Sequence, residues 1–448
     1  MKRLLLLAGL DEQVVSTLLL RSWSAMAGAV MVIFISQWFN NIEQGYYFTL
    51  VSLLALQVFF ELGMNQVVLH LASHEVAHLK FDAKGHLKGD SARLNALSTL
   101  ASLIQRWYLT AAIVFFVVVG AGGVWFLAIS NYLPSTNWMG PWLLLILATS
   151  ANLCLNGKLV FFEAIGNISG VARARLMQSM IGTVFMWAAL TADAKLWALP
   201  LVPVVAALYT MHWLKENGVA LRVLPSQSAV EVFKKWQGDV LPLQWRLAIS
   251  WVSGYFIFQL LIPVVFASFG PVEAGRLGIT LAIFGALSSL GMSWVTAKIP
   301  SMVACVAKRD RSKLNEVFLT ALTRAVLFTL IATLTAVVAI ALMHNFEWPI
   351  ADRFVSVSVA TCIALSTVIN CIIFSAAAYM RSHKEEPMVL PSVVSAVATL
   401  VAVAIGSQFS VFAILAVYTG VTACISLPWT IKLLNNYYGK SLKWDRRC

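Results

Sequence analysis

Charge is what this chain lacks most. Asp, Glu, Lys and Arg make up 12% of its 448 residues, whereas 60% are hydrophobic and the mean hydropathy is +0.80. A soluble domain carries about 25% charged residues, so the composition excludes an ordinary soluble fold. Cysteine is sparse as well. The six cysteines (Cys154, Cys305, Cys362, Cys371, Cys424, Cys448) form no CxxC pair and fall in apolar segments or on one side of them, which argues against a disulfide framework or a cysteine-built zinc site. Long polar segments are missing too. The largest, 73–95 and 214–241, are connectors too short to form a domain of their own. Met1–Leu10 runs into Asp11 and Glu12 without a small-residue cleavage site, and it is expected to be a tail or surface helix rather than a signal peptide.

What remains is a series of apolar runs of about 20 residues, each long enough to cross a hydrocarbon core of about 30 Å. They predict an all-α integral membrane protein of about twelve spans: 14–39, 46–72, 97–129, 139–163, 170–191, 196–214, 242–268, 276–300, 316–343, 352–378, 388–406 and 410–433. An amphipathic lead-in is expected up to Arg106. If both termini are cytoplasmic, Lys195, Arg276 and Arg353 alone face the far side, and Arg21, Arg106, Arg246, Lys298 and Arg324 lie within spans. The rest of the 32 Lys and Arg occupy the inner loops, tails and span ends. This is the positive-inside bias, and it explains a net charge of +12 without nucleic acid.

The halves repeat. Ile42-Glu43-Gln44-Gly45 opens the second span and Val272-Glu273-Ala274-Gly275 the eighth, followed by Gly63-Met64 and Gly291-Met292. Arg93-Leu94-Asn95 and Lys313-Leu314-Asn315 lead into the third and ninth. Six spans per repeat give copies of like orientation, a parallel-repeat transporter plan. The expected division is an N-terminal lobe over 1–217, a connector over 218–241 and a C-terminal lobe over 242–448.

Two stretches carry a family resemblance. Glu43-Gln44-Gly45-Tyr46-Tyr47-Phe48, through Phe60-Glu61-Leu62-Gly63, to Ala72-Ser73-His74-Glu75 resembles Wzx-type O-antigen and polysaccharide flippases of the multidrug/oligosaccharidyl-lipid/polysaccharide (MOP) exporter superfamily. So does the stretch from Pro242-Leu243-Gln244-Trp245-Arg246 to Ser250-Trp251-Val252-Ser253-Gly254-Tyr255. The resemblance implies two six-helix bundles around a cavity lined by the first, second, seventh and eighth spans. It also implies alternating-access export of an undecaprenyl-diphosphate-linked oligosaccharide from the inner to the outer leaflet of a bacterial inner membrane. The partners implied are that lipid-linked cargo, membrane lipids and polysaccharide polymerase machinery. No cofactor is implied, and a coupling ion, H+ or Na+, stays open. The alternatives are a cation-coupled multidrug exporter of the same superfamily, which should carry several intramembrane carboxylates, and a membrane saccharide polymerase or ligase, which should carry a sizeable outer loop. Neither feature is present, so a transporter rather than an enzyme is expected.

Ionised groups inside a bilayer cost roughly 2.5–3.5 kcal/mol and are functional candidates by default. Arg21 and Arg246 sit about 7–10 Å into their spans at about 1.5 Å per residue. With Lys298 and Arg324 they would make an inner vestibule suited to a diphosphate, or else snorkel to headgroups. Arg106 is expected to do the latter beside Trp107 and Tyr108. Glu61 is the clear intramembrane carboxylate, on a stripe with Gln57 and Asn65 spaced four apart. It is a coupling group, a counter-ion to Arg21 or a hydrogen-bonded seam. Tyr255 and Gln259 are candidate sugar contacts. His70, His74 and His78, with Asp82, are expected to form an interfacial polar face rather than a metal site, and Arg173 and Arg175 to pin a hairpin beside Glu163.

Overall fold

The computed structural model describes residues 12–76, 80–81, 87–88, 90–130, 132–217, 234, 236–383 and 387–442. Helix dominates because in a bilayer each backbone N–H and C=O must find its partner within its own segment. The helices are α1 Glu12–Trp38, α2 Asn41–Leu54, α3 Val58–Glu61, α4 Met64–Val76, α5 Ser91–Ser130, α6 Ser135–Ala164, α7 Ile168–Thr191 and α8 Leu201–Asn217. After the connector come α9 Leu241–Phe258, α10 Leu261–Phe269, α11 Pro271–Thr296, α12 Ile299–Lys308, α13 Arg311–Asn345, α14 Val357–Arg381, α15 Val389–Gly406, α16 Val411–Val421 and α17 Leu427–Leu442. A two-residue antiparallel pairing, Lys80–Phe81 with Leu87–Lys88, sits between α4 and α5.

Among the described residues, ten helical runs are long and apolar enough to cross a membrane. The other two expected crossings are α7, which carries Arg173 and Arg175, and the broken helix from Asn41 to Val76. Prolines account for several breaks. A proline lacks an N–H and clashes with the carbonyl four residues earlier. Accordingly, α9 and α10 part at Gln259–Leu260 ahead of Pro263, and α11 ends at Thr296, four residues before Pro300. The expected lead-in and the third span are continuous in α5, a single helix of 40 residues.

The chain divides into two compact units. One comprises Met1–Trp38 and Leu53–Val252; the other comprises Phe39–Ser52 and Ser253–Cys448. In the first, α1 packs along α7, α5 along α6, and α8 against α6 and α7. Trp138, Trp142, Tyr108, Phe115 and Phe161 fill its core. The Trp142 indole donates to the Gly120 carbonyl at 3.0 Å, satisfying a buried N–H. In the second, α11, α13 and α14 pack mutually, and α16 and α17 lie against α14. Phe266, Phe284, Phe318 and Tyr379 are buried there.

Within the second unit the two repeat motifs meet. A Cβ on Gly45 would come within 1.9 Å of the Pro271 carbonyl oxygen, and one on Gly275 within 2.8 Å of the Gly45 nitrogen. Only glycine lets the first turns of α2 and α11 cross backbone to backbone. Two helix N-termini side by side bring like partial charges together, and Glu43 and Glu273 in those first turns offset them. Glu43 also forms a reciprocal cap with Asn40, at 2.8 Å and 3.0 Å.

Candidate functional site

The polar stripe of the second span lies in the first unit, at a break in the helix. Leu62 and Gly63 both adopt positive φ (47° and 69°), ending α3 directly after Glu61. A leucine in this region is strained by about 1–2 kcal/mol. The stripe closes across the break. Gln57 Nε2 donates to Glu61 Oε1, Asn65 Nδ2 donates to Glu61 Oε2 at 3.2 Å, and the Tyr108 hydroxyl donates to Asn65 Oδ1. Gly157 of α6 makes room for the Tyr108 ring, since a Cβ there would stand 2.5 Å from it. The cation whose field reaches Glu61 is Arg175 of α7, whereas Arg21, one candidate partner from the sequence, is exposed on α1. Arg175 pairs with Glu163 at 3.3 Å, the expected hairpin contact, and so lies under the influence of two carboxylates. Each Glu61 oxygen thus has an amide donor, and the group shares the field of Arg175 with Glu163.

Tyr108 and Arg175 were not read from sequence as parts of this seam. Tyr108 looked like an interfacial anchor beside Arg106, yet it is fully buried. The available signal was its register on α5, four residues after Ile104, which is itself buried.

The basic candidates are distributed along both units. Arg21 is exposed near the start of α1, Arg106 on α5, and Arg324 on α13, while Lys298 is exposed at the junction of α11 and α12. Arg246 lies in α9, and its side chain is outside the described residues, as are those of His70 and His74 and all of His78 and Asp82. Lys158 adds a further cation six residues before the end of α6. Among the described residues no group of three metal-ligating side chains converges.

In the second unit, Arg276 and Arg353, two of the cations expected on the far side, are held by structure. Arg276 donates to Glu273 at 2.7 Å and to the Asp352 carbonyl at 2.9 Å. Arg353 and Gln44 exchange hydrogen bonds, Gln44 Nε2 to the Arg353 carbonyl at 3.2 Å and Arg353 Nη1 to Gln44 Oε1 at 3.3 Å. Burial lowers the Arg353 guanidinium below its ordinary range, and Glu43 partly opposes this.

The second unit also contains a cavity of about 570 Å³ between α2, the α9–α10 break, α11, α14 and α16. Of the sequence candidates, Gln259 lines it, whereas Tyr255 is buried against Phe256 and is not part of the lining. Among the described residues, no Asp, Glu, Lys, Arg or His contributes to its wall. Aromatic rings, amides and hydroxyls do, with the Asn370 amide donating to the Tyr418 hydroxyl at 3.4 Å.

No protein-family model matches the chain, and no curated protein matches it in sequence. Solved structures do. A lipid II flippase MurJ in an inward closed conformation matches over 94% of this chain and 87% of its own, at 11% identity and a TM-score of 0.68. The eukaryotic MATE transporter AtDTX14 matches over 98% and 100% at 14% identity and 0.55, and a MATE in complex with MaL6 over 94% and 95% at 14% and 0.52. At such identities the likeness concerns the backbone architecture. This multi-pass membrane chain has the fold of the MOP-superfamily transporters and flippases.

Proposed function

We propose that the chain flips an undecaprenyl-diphosphate-linked oligosaccharide, an O-antigen or related polysaccharide repeat unit, from the inner to the outer leaflet of a bacterial inner membrane by alternating access. The observation that carries this reading is the imbalance of charge along the helices. Arg21, Arg106, Lys158, Arg246 and Arg324 stand within helices, and Lys298 stands at a helix junction. Against them is one deep carboxylate, Glu61, already engaged by Gln57, Asn65 and Arg175. Among the described residues, the other α-helical carboxylates Glu12, Glu43, Glu75, Glu163, Glu216, Glu273 and Glu316 lie within the first or last two turns. A cationic drug would meet few unengaged counter-charges, whereas a diphosphate would be drawn by guanidinium forks and by the summed field. The likeness to a lipid II flippase at the higher TM-score accords with this cargo class.

In this reading both termini face the cytoplasm, where the basic inner loops belong. The partners are the lipid-linked cargo, membrane lipids and polysaccharide polymerase machinery, with H+ or Na+ as candidate coupling ion. Proteoliposomes containing the purified chain test it: a fluorescent undecaprenyl-diphosphate oligosaccharide should change leaflets, and ethidium should not be exported. Arg21→Ala and Arg246→Ala should each slow flipping with folding intact, and Arg→Lys should restore it in part, because Lys lacks the planar fork. Ethidium export without lipid flipping would establish the multidrug-exporter reading instead.

A further inference from the structure

We infer that the cavity of the second unit is a subsite for an uncharged saccharide, so that the cargo carries neutral sugars where it is held there. The inference rests on the lipid-linked cargo proposed above and specifies its sugar class. Three features of the wall point the same way.

The first is unpartnered polarity. Gln259 stands at the α9–α10 break, and Ser288 and Ser289 stand on α11; all three line the cavity, and their side chains make no hydrogen bond among the described residues. Open to the cavity and not engaged by neighbouring side chains, these groups are available to hydrogen-bond a polar ligand or water held there. An isoprenoid chain would leave them unmatched, which disfavours the lipid tail as occupant. Asn370 and Thr367 on α14 and Tyr418 on α16 bring further amide and hydroxyl groups from other helices.

The second is aromatic surface. Phe48, Phe258, Phe284 and Phe374 line the same space, and the rings of Phe258 and Phe374 lie 5.6 Å apart at 53°. The electron-rich face of a ring receives the weakly positive C–H face of a pyranose, while the sugar's hydroxyls turn to the amides. About 570 Å³ falls in the range that buries a small ligand, room for a short saccharide.

The third is neutrality. An ionised uronic or sialic carboxylate would enter a wall whose described residues hold no cation, and burying it unpaired is heavily unfavourable. The repeat sharpens the point. Ser289 precedes Gly291-Met292 by the spacing at which Glu61 precedes Gly63-Met64, so the second unit has a hydroxyl at the position where the first has its deep carboxylate.

Native mass spectrometry of the full chain tests this. The protein is mixed with sugar-free polyprenyl diphosphate, polyprenyl-diphosphate trisaccharides built from neutral sugars, and trisaccharides containing a uronic acid. Wild type should retain a neutral form at least about tenfold over the sugar-free lipid, the preference expected from two or three matched hydrogen bonds. Gln259→Leu and Ser289→Trp change exposed side chains, and each should reduce that preference to near unity while sugar-free lipid still binds. Monodisperse elution and an unchanged melting temperature show that the variants are folded. Preference for the acidic form, or a preference unchanged in both variants, overturns the inference. If wild type retains all the lipids alike, the subsite fails while the lipid-linked cargo stands. If it retains none, that cargo fails and the subsite with it.

Discussion

Two stretches of nearly identical sequence, Glu61-Leu62-Gly63-Met64 and Ser289-Leu290-Gly291-Met292, adopt different structures. In the first, Gly63 supplies a positive φ of 69°, the helix breaks, and Glu61 is bound by amides from both sides of the break. In the second, α11 continues unbroken from Pro271 to Thr296, and the space beside Gly291 is filled by Thr329, whose Oγ1 would lie 2.1 Å from an added Cβ. One glycine is required for its backbone conformation and the other for its neighbour. A repeat in sequence is therefore not a repeat in conformation. The same position holds a charged seam in one unit and faces an uncharged cavity in the other.

The strongest way to break this contrast is to carry the charge across. Ser289→Glu puts a carboxylate beside a wall whose described residues hold no cation, and a charge placed within a membrane-spanning helix costs about 2.5–3.5 kcal/mol. Thermal melting in detergent should fall sharply. An unchanged melting temperature would mean that the cavity accommodates charge, against the neutral-subsite argument.

The reverse operation is milder. Glu61→Leu leaves the Gln57 and Asn65 amides without their acceptor, a loss of about 1–3 kcal/mol, whereas Glu61→Gln keeps a carbonyl for one of them and should lose less. With expression matched, flipping by Glu61→Gln should follow pH as wild type does, as a seam residue would. A flattened pH profile would make Glu61 the coupling group instead.

Glycine roles separate next. Gly291→Ala should destabilise by about 1–3 kcal/mol through overpacking, and Thr329→Ala in the same chain should restore most of it. Gly63→Ala should not be rescued by trimming any neighbour, because its defect is in φ. Equal rescue at both sites would erase the distinction. The smallest effect is a gain. Leu62→Gly should stabilise by about 0.5–1 kcal/mol, relief of the left-handed leucine less the entropy of glycine, and a lower melting temperature would show that the break is unstrained.

Much of this was legible in the residues. The crossings follow from apolar runs, because a bilayer imposes one local requirement on every segment. Glu61, Gln57 and Asn65 stood out as a polar stripe where polarity is costly, and the stripe is bonded as a unit. Other features were hidden. Arg21 was one candidate partner of Glu61 because both lay in early spans, but the choice of cation depends on which helices are neighbours, and α7 brings Arg175. Tyr255 and Gln259 were indistinguishable on one helix until the break before Pro263 exposed one and buried the other. Ser288, Ser289 and Asn370 are ordinary residues in apolar runs and carried no signal.

By itself, then, the sequence determined the membrane class, the approximate spans, the asymmetry of basic residues and the presence of a repeat. Each of these depends on composition within a window comparable to the bilayer's thickness. Only the tertiary structure decided that 39–52 belongs with the second unit, that the motif glycines meet backbone to backbone, that Arg175 of α7 is the cation near Glu61, and that the second unit borders a cavity with no charge among its described lining residues. Those outcomes depend on which helix faces which across tens or hundreds of residues. In apolar segments, where most side chains would be equally content against lipid or protein, a single span does not encode its neighbour.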